Sequence, residues 1–168
     1  RRSSSAASDV YKRQGMAAAA KEHLGALDIL VNNAGVTHQS GPLEDVDEES
    51  FDRVMAVNNK AVYLAARAFV PAMKAAGKGC ILNIASTAGV SPRPNLSWYN
   101  ASKGWMITAT RAMAVELARY GVRVNAVNPV AGETPLLASF MGEDTPEMRA
   151  KFLSCLLYTS DAADEDLR

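Results

Sequence analysis

Apolar and polar positions along the chain follow two rhythms. Short apolar runs end in polar or glycine-bearing turns, and longer stretches repeat apolar residues at helical spacing. Residues 27–32 (LDILVN) form a run of the buried-strand type, closed by Asn-Ala-Gly. Residues 42–47 read as a loop. From 48 to 76 the apolar positions Phe51, Val54, Met55, Tyr63, Leu64 and Phe69 predict one long helix, kinked at Pro71 and ended by Gly77. Residues 80–85 (CILNIA) predict a second buried strand, followed by a loop at 86–97 rich in Ser, Gly and Pro. A second long helix over 99–120 stops at Gly121, and 122–128 (VRVNAVN) is a third strand closed by Pro129. Residues 15–25 read as the tail of an alanine-rich helix ended by Gly25, and 145–154 as the start of another. Strands and helices alternating at this spacing imply an α/β fold with a parallel sheet and right-handed crossovers. Such sheets bind ligands beyond the carboxyl ends of their strands. Three segments arrive there: 32–35, Ser86, and 128–134.

The two ends read differently from the middle. One codon choice for residues 4–14 has a reverse complement that, read one base in, translates as residues 155–165. The string also resembles a transposase-type sequencing adapter. Residues 1–14 and 155–168 are therefore expected to be translated adapter, excluded from fold reasoning, with 15–154 a native segment cut at both ends. Removing them takes away Arg1, Arg2, Lys12, Arg13 and Arg168 against Asp9, Asp161, Asp164, Glu165 and Asp166, so charge stays balanced. That balance gives no electrostatic case for nucleic acid or an anionic membrane. No run approaches the ~20 apolar residues of a membrane span. Cys155 falls in the excluded part, which leaves Cys80 alone and no internal disulfide. A reducing, cytoplasmic setting fits this.

The chemistry centres on Tyr99 and Lys103, which share a helix face at i and i+4. An ammonium beside a phenol favours the phenolate, drawing a tyrosine of ordinary pKa about 10 toward neutrality. Ser86, just past the second strand, offers a hydroxyl to hold a substrate oxygen beside that phenol. The set outlines an acid–base device for a carbonyl or an alcohol. Other residues read more plainly. His38 has no second ligand at metal spacing and is expected in a solvated loop, so no metal is assigned; Cys80 reads as inert core and Trp98 as packing. The acidic stretch 44–52 reads as a solvated helix start.

Five motifs stand in order on the expected elements: N-N-A-G from Asn32 through Asn33 and Ala34 to Gly35, Asn58 in V-N-N-K, Ser86 after the second strand, Y-N-A-S-K from Tyr99 to Lys103, and N-P-x-x-x-x-T from Asn128 to Thr134. Together they make 15–154 resemble the central part of a short-chain dehydrogenase/reductase, with a Rossmann-type doubly wound parallel sheet truncated at both ends. The resemblance implies NAD or NADP as cofactor and a small ketone or secondary alcohol as substrate. It implies that Tyr99 is the general acid or base. Lys103 would lower the Tyr99 pKa and hold the nicotinamide ribose, Ser86 the substrate oxygen, and Asn58 a water in the proton relay. Asn33, Ala34, Gly35, Pro129, Gly132 and Thr134 would line the cofactor. Val130 stands where the family commonly has glycine, narrowing the space near the nicotinamide, and Gly132 is expected to take the flexible role. The glycine-rich phosphate turn and the acidic or basic residue that separates NAD from NADP would precede residue 15. The wording of the 129–137 loop is similar to bacterial members acting on 3-oxoacyl thioesters or glucose. Leu136, Leu137, Phe140 and Met141 make its lid apolar, which favours a hydrophobic ketone. The resemblance further implies a homo-oligomer packed through the two long helices. A same-fold epimerase or dehydratase, and a non-catalytic scaffold, are the competing readings.

Overall fold

A computed structural model describes Ala19, Glu22, residues 27–130, Phe140 and residues 145–154, with backbone only for 151–154. Three strands, β1 (Ile29–Asn32), β2 (Gly79–Ile84) and β3 (Val122–Val127), form one parallel sheet in the order β1-β2-β3. The first crossover contains α1 (Glu48–Met55) and α2 (Ala61–Ala76); the second contains α3 (Ser97–Leu117). A last helix, α4, runs Pro146–Ser154. Of the predicted helix at 15–25, Ala19 and Glu22 are helical and the rest lies outside the described residues. The ends read as adapter lie outside them too.

The punctuation residues act as their chemistry dictates. Asp47 caps α1 by accepting from Ser50 N at 2.7 Å, and the Ser50 hydrogen bonds hold its carboxyl below the usual range. Gly77 and Gly121 end their helical segments at φ 66° and 69°, the left-handed region. A Cβ on Gly121 would run into the Gly77 carbonyl, so the two stops pack on each other.

Two expectations need correcting. The helix predicted over 48–76 is interrupted by a π turn, Ala56–Lys60, between α1 and α2, while Pro71 lies within α2. The turn's Asn58 and Asn59 are both buried and both bond to α3, which supplies a physical reason for the extra residue. Nor are the strands buried on both faces. Met73 of α2 and Leu117 of α3 pack with Ile81, Val122 and Val124 against the same side of the sheet. Two crossovers of the same hand running in one direction put their helices on one face. Across the other face, Ile29, Val31 and Val127 are 61%, 50% and 48% exposed, and none of the described residues covers them.

Candidate active site

Residues of the covered face converge at the carboxyl ends of β1 and β2. Asn32 Nδ2 donates to Asn83 Oδ1 at 2.8 Å, and Asn83 Nδ2 donates to Thr110 Oγ1 at 2.8 Å. This polar ladder ties the two strand ends to α3. Past β1, Asn33 and Ala34 are exposed at the rim. Gly35 turns inward, where an added Cβ would stand 3.4 Å from Lys103 Nζ and 3.6 Å from Asn58 Oδ1.

Asn58 is wholly buried and fully engaged. Its Oδ1 accepts from Val36 N at 2.9 Å, and its Nδ2 donates to Val36 O and to Ser102 Oγ, each at 2.9 Å. Ser102 Oγ in turn donates to the Tyr99 carbonyl at 2.7 Å, and Asn59 Nδ2 donates to the Ser102 carbonyl at 2.8 Å. The π turn is thereby braced against the first turns of α3. Ser102, Asn59 and Asn83 were not singled out as site residues from the sequence. The readable signal was a polar residue interrupting an otherwise apolar strand or helix face.

Ser86 follows β2 in extended conformation and caps a short 3-10 turn, Thr87–Gly89. Its Oγ accepts from Ala88 N at 3.1 Å, so what the hydroxyl has left to offer a neighbouring oxygen is its proton. The turn meets α3 at van der Waals range: a Cβ on Gly89 would stand 2.6 Å from the Lys103 carbonyl carbon, so only glycine lets the two segments close. Pro129, past β3, accepts from Thr87 N at 3.1 Å, which brings the third strand end to the same rim. Val130 is exposed there. Gly132 and Thr134, with Leu136, Leu137 and Met141, lie outside the described residues.

Tyr99 is buried with Ala88 and Leu96, and the Phe140 ring lies 5.1 Å from its own, tilted by 54°. Lys103 Nζ donates to the Ile84 carbonyl at 2.8 Å and stands 5.8 Å from the Tyr99 ring centroid. The electrostatics differ from expectation. Burial pushes the Tyr99 phenol up, and hydrogen bonding with Ser86 pulls it back only in part. Burial also drops Lys103 to about 8, because its ammonium has left water for one carbonyl. Here the phenol rests in its protonated form.

His38 also departs from expectation: it is buried, not solvated. Trp98 packs, as the sequence suggested, edge-on to Phe51 at 5.5 Å and donates Nε1 to the Leu43 carbonyl. Among the described residues no three His, Cys, Asp or Glu side chains gather as a metal site, and no helix is long and apolar enough to cross a membrane.

A family model described as short chain dehydrogenase matches residues 5–144. The chain belongs to the short-chain dehydrogenase family. The match opens inside the segment 1–14. One short-chain dehydrogenase relative is the 4-formylbenzenesulfonate dehydrogenase of Comamonas testosteroni, 53% identical over 137 residues, covering 81% of this chain and 54% of the relative. Another is the 2-(R)-hydroxypropyl-CoM dehydrogenase of Xanthobacter autotrophicus, 44% identical over 139 residues, covering 82% and 55%. The chain thus spans about half the length of these curated relatives. A solved 3-ketoacyl-(acyl-carrier-protein) reductase from Brucella melitensis, complexed with NADH, superposes at TM-score 0.76 with 42% identity, over 92% of this chain and 69% of that one. The family's Rossmann-like parallel sheet is the one seen here.

Proposed function

We propose that the full-length protein is a nicotinamide-dependent oxidoreductase that interconverts a ketone and a secondary alcohol. The observation that carries this is a buried phenol one helical turn from a buried lysine whose ammonium faces Gly35, with Ser86 at the end of the neighbouring strand. The residues present fit NAD or NADP. Lys103 spends one of its three N–H donors on Ile84, leaving two for a ribose diol, and Gly35 leaves open the space a Cβ would fill. When bound, the cofactor gives or takes the hydride.

The chain's own residues handle the oxygen. Ser86 donates its free hydroxyl proton to the substrate carbonyl and fixes it beside Tyr99. The Tyr99 phenol, protonated at neutral pH, gives its proton to that oxygen as it becomes an alkoxide. In the oxidative direction the same atom takes the proton back. Asn58 holds the Gly35–Val36 segment at hydrogen-bond distance on one side and α3, through Ser102, on the other. It thereby sets the gap across which a relay water would join Lys103. Phe140 lays an apolar ring over the phenol, which suits a ketone with an apolar body.

Nicotinamide absorbance tests this in the full-length protein, with NADH and NADPH against 3-oxoacyl thioesters, cyclic ketones and sugars. Turnover of a ketone by one cofactor is expected. Cofactor binding without turnover of any substrate would move the reading to a scaffold.

The protein is further proposed to be cytoplasmic and homo-oligomeric. Along α3 the exposed positions Ala101, Trp105, Thr108, Ala112 and Val115 form a small and apolar stripe, and Tyr63 is exposed on α2. A wide apolar stripe in water favours a second helical layer. Sedimentation of the full-length protein as a monomer at micromolar concentration would sink the oligomer.

A further inference from the structure

His38 takes no part in the machinery above, yet the residue is only 4% exposed. Nδ1 lies 2.8 Å from the Gln39 carbonyl oxygen; a carbonyl only accepts, so Nδ1 carries the proton. In the neutral ring this leaves Nε2 with a lone pair. Nε2 is buried and meets no hydrogen-bond partner among the described residues. Buried acceptors are nearly always satisfied, and one left open calls for a donor from beyond the described residues.

The segment bearing His38 is pinned at both ends to the site. Two residues before it, Val36 makes both of its backbone hydrogen bonds with the Asn58 amide. Three residues after it, Gly41 N donates to the Asn95 carbonyl at 3.1 Å, next to Leu96, which packs on Tyr99. A chain advances at most about 3.6 Å per residue, so the His38 backbone stays within roughly 7 Å of Val36. His38 therefore sits on the short stretch of chain strung between the Asn58 contact and the Asn95–Leu96 contact, beside the place proposed to receive the substrate carbonyl.

We infer that Nε2 accepts a hydrogen bond from a hydroxyl on the carbon next to the reacting carbonyl. His38 is then a specificity residue that favours α-hydroxy ketones, and vicinal diols in the reverse direction, over plain ketones. A carboxylate or phosphate at that place brings no donor and is disfavoured. The inference rests on the oxidoreductase reading.

The matched pair 2-hydroxycyclohexanone and cyclohexanone tests it in the full-length protein. His38→Leu is expected to lower the ratio of their kcat/KM values by about tenfold or more, since the open acceptor is what rewards the hydroxyl. His38→Gln, which restores an acceptor, is expected to recover most of that ratio. In the wild-type protein with oxidised cofactor, the nitrogen-15 resonance of Nε2 should shift with 2-hydroxycyclohexanone and stay in place with cyclohexanone. An unchanged ratio in His38→Leu, or an Nε2 resonance indifferent to both ketones, overturns the assignment and leaves an ordered water as the partner. Cyclohexanone turnover that disappears in Tyr99→Phe upholds the underlying reading whatever His38 does; no turnover of either ketone by the wild type overturns both.

Discussion

Tyr99→Phe in the full-length protein is expected to lower kcat by about 10³, within the range of 10²–10⁴ that a positioned acid–base group supplies. The substitution deletes one oxygen from a ring that stays packed on Ala88, Leu96 and Phe140, so the fold has little reason to move. What goes is the proton donor, a phenol protonated at neutral pH as any tyrosine is and pushed further that way by burial. Ser86 alone then faces an oxygen gaining negative charge, and its hydroxyl is a far weaker acid. Cofactor affinity, measured by fluorescence titration, should change little beside the loss of turnover. A variant keeping more than a tenth of wild-type kcat would remove Tyr99 from the role proposed for it.

Lys103→Met is expected to separate activity from stability. The variant keeps a stem of similar length and loses the ammonium, so turnover should fall by about 10³ if the proposed ribose contact and proton relay both pass through Nζ. Its melting temperature at pH 7 should rise by several degrees, because a charge held in a buried place at a cost has been removed. The pH dependence makes this specific. Burial lowers Lys103 from 10.5 to about 8 in the fold. Below about 8 both states carry the proton and the folded chain bears the full penalty. Between about 8 and 10.5 the unfolded chain binds a proton that the folded chain has shed, so stability rises with pH. Wild type should gain thermal stability relative to Lys103→Met across that window. The raised Tyr99 value acts in the opposite sense, but only at pH above 10, where the unfolded phenol ionises first. Parallel melting curves from pH 7 to 10 would mean that Lys103 is solvated.

The three strands, the two crossovers and the order of the rim segments were legible because the apolar runs and their glycine stops are local signals. So was the set Asn58, Ser86, Tyr99 and Lys103, which the fold brings to one place. What escaped the sequence depends on contacts between distant segments. The π turn arises because Asn58 and Asn59 both reach Ser102, more than forty residues away. The i to i+4 spacing suggested that Lys103 would depress Tyr99, yet the ammonium turns to Ile84 and burial governs both groups. His38 reads as a polar loop residue because nothing nearby in sequence announces that Gly41 is tied to Asn95. The roles given to Gly132 and Thr134 remain expectations of the family resemblance.

The sheet has one dressed side and one bare side, and every hydrogen bond that places Tyr99, Lys103, Ser86 and Asn58 is made on the dressed side or at the strand ends. Whatever lies over Ile29, Val31 and Val127 can therefore change in sequence without disturbing the hydrogen bonds that place these four side chains. The described sheet and its helices are a cassette with a seam. Its chemistry is fixed by internal bracing, while its solubility is left to whatever closes over the seam.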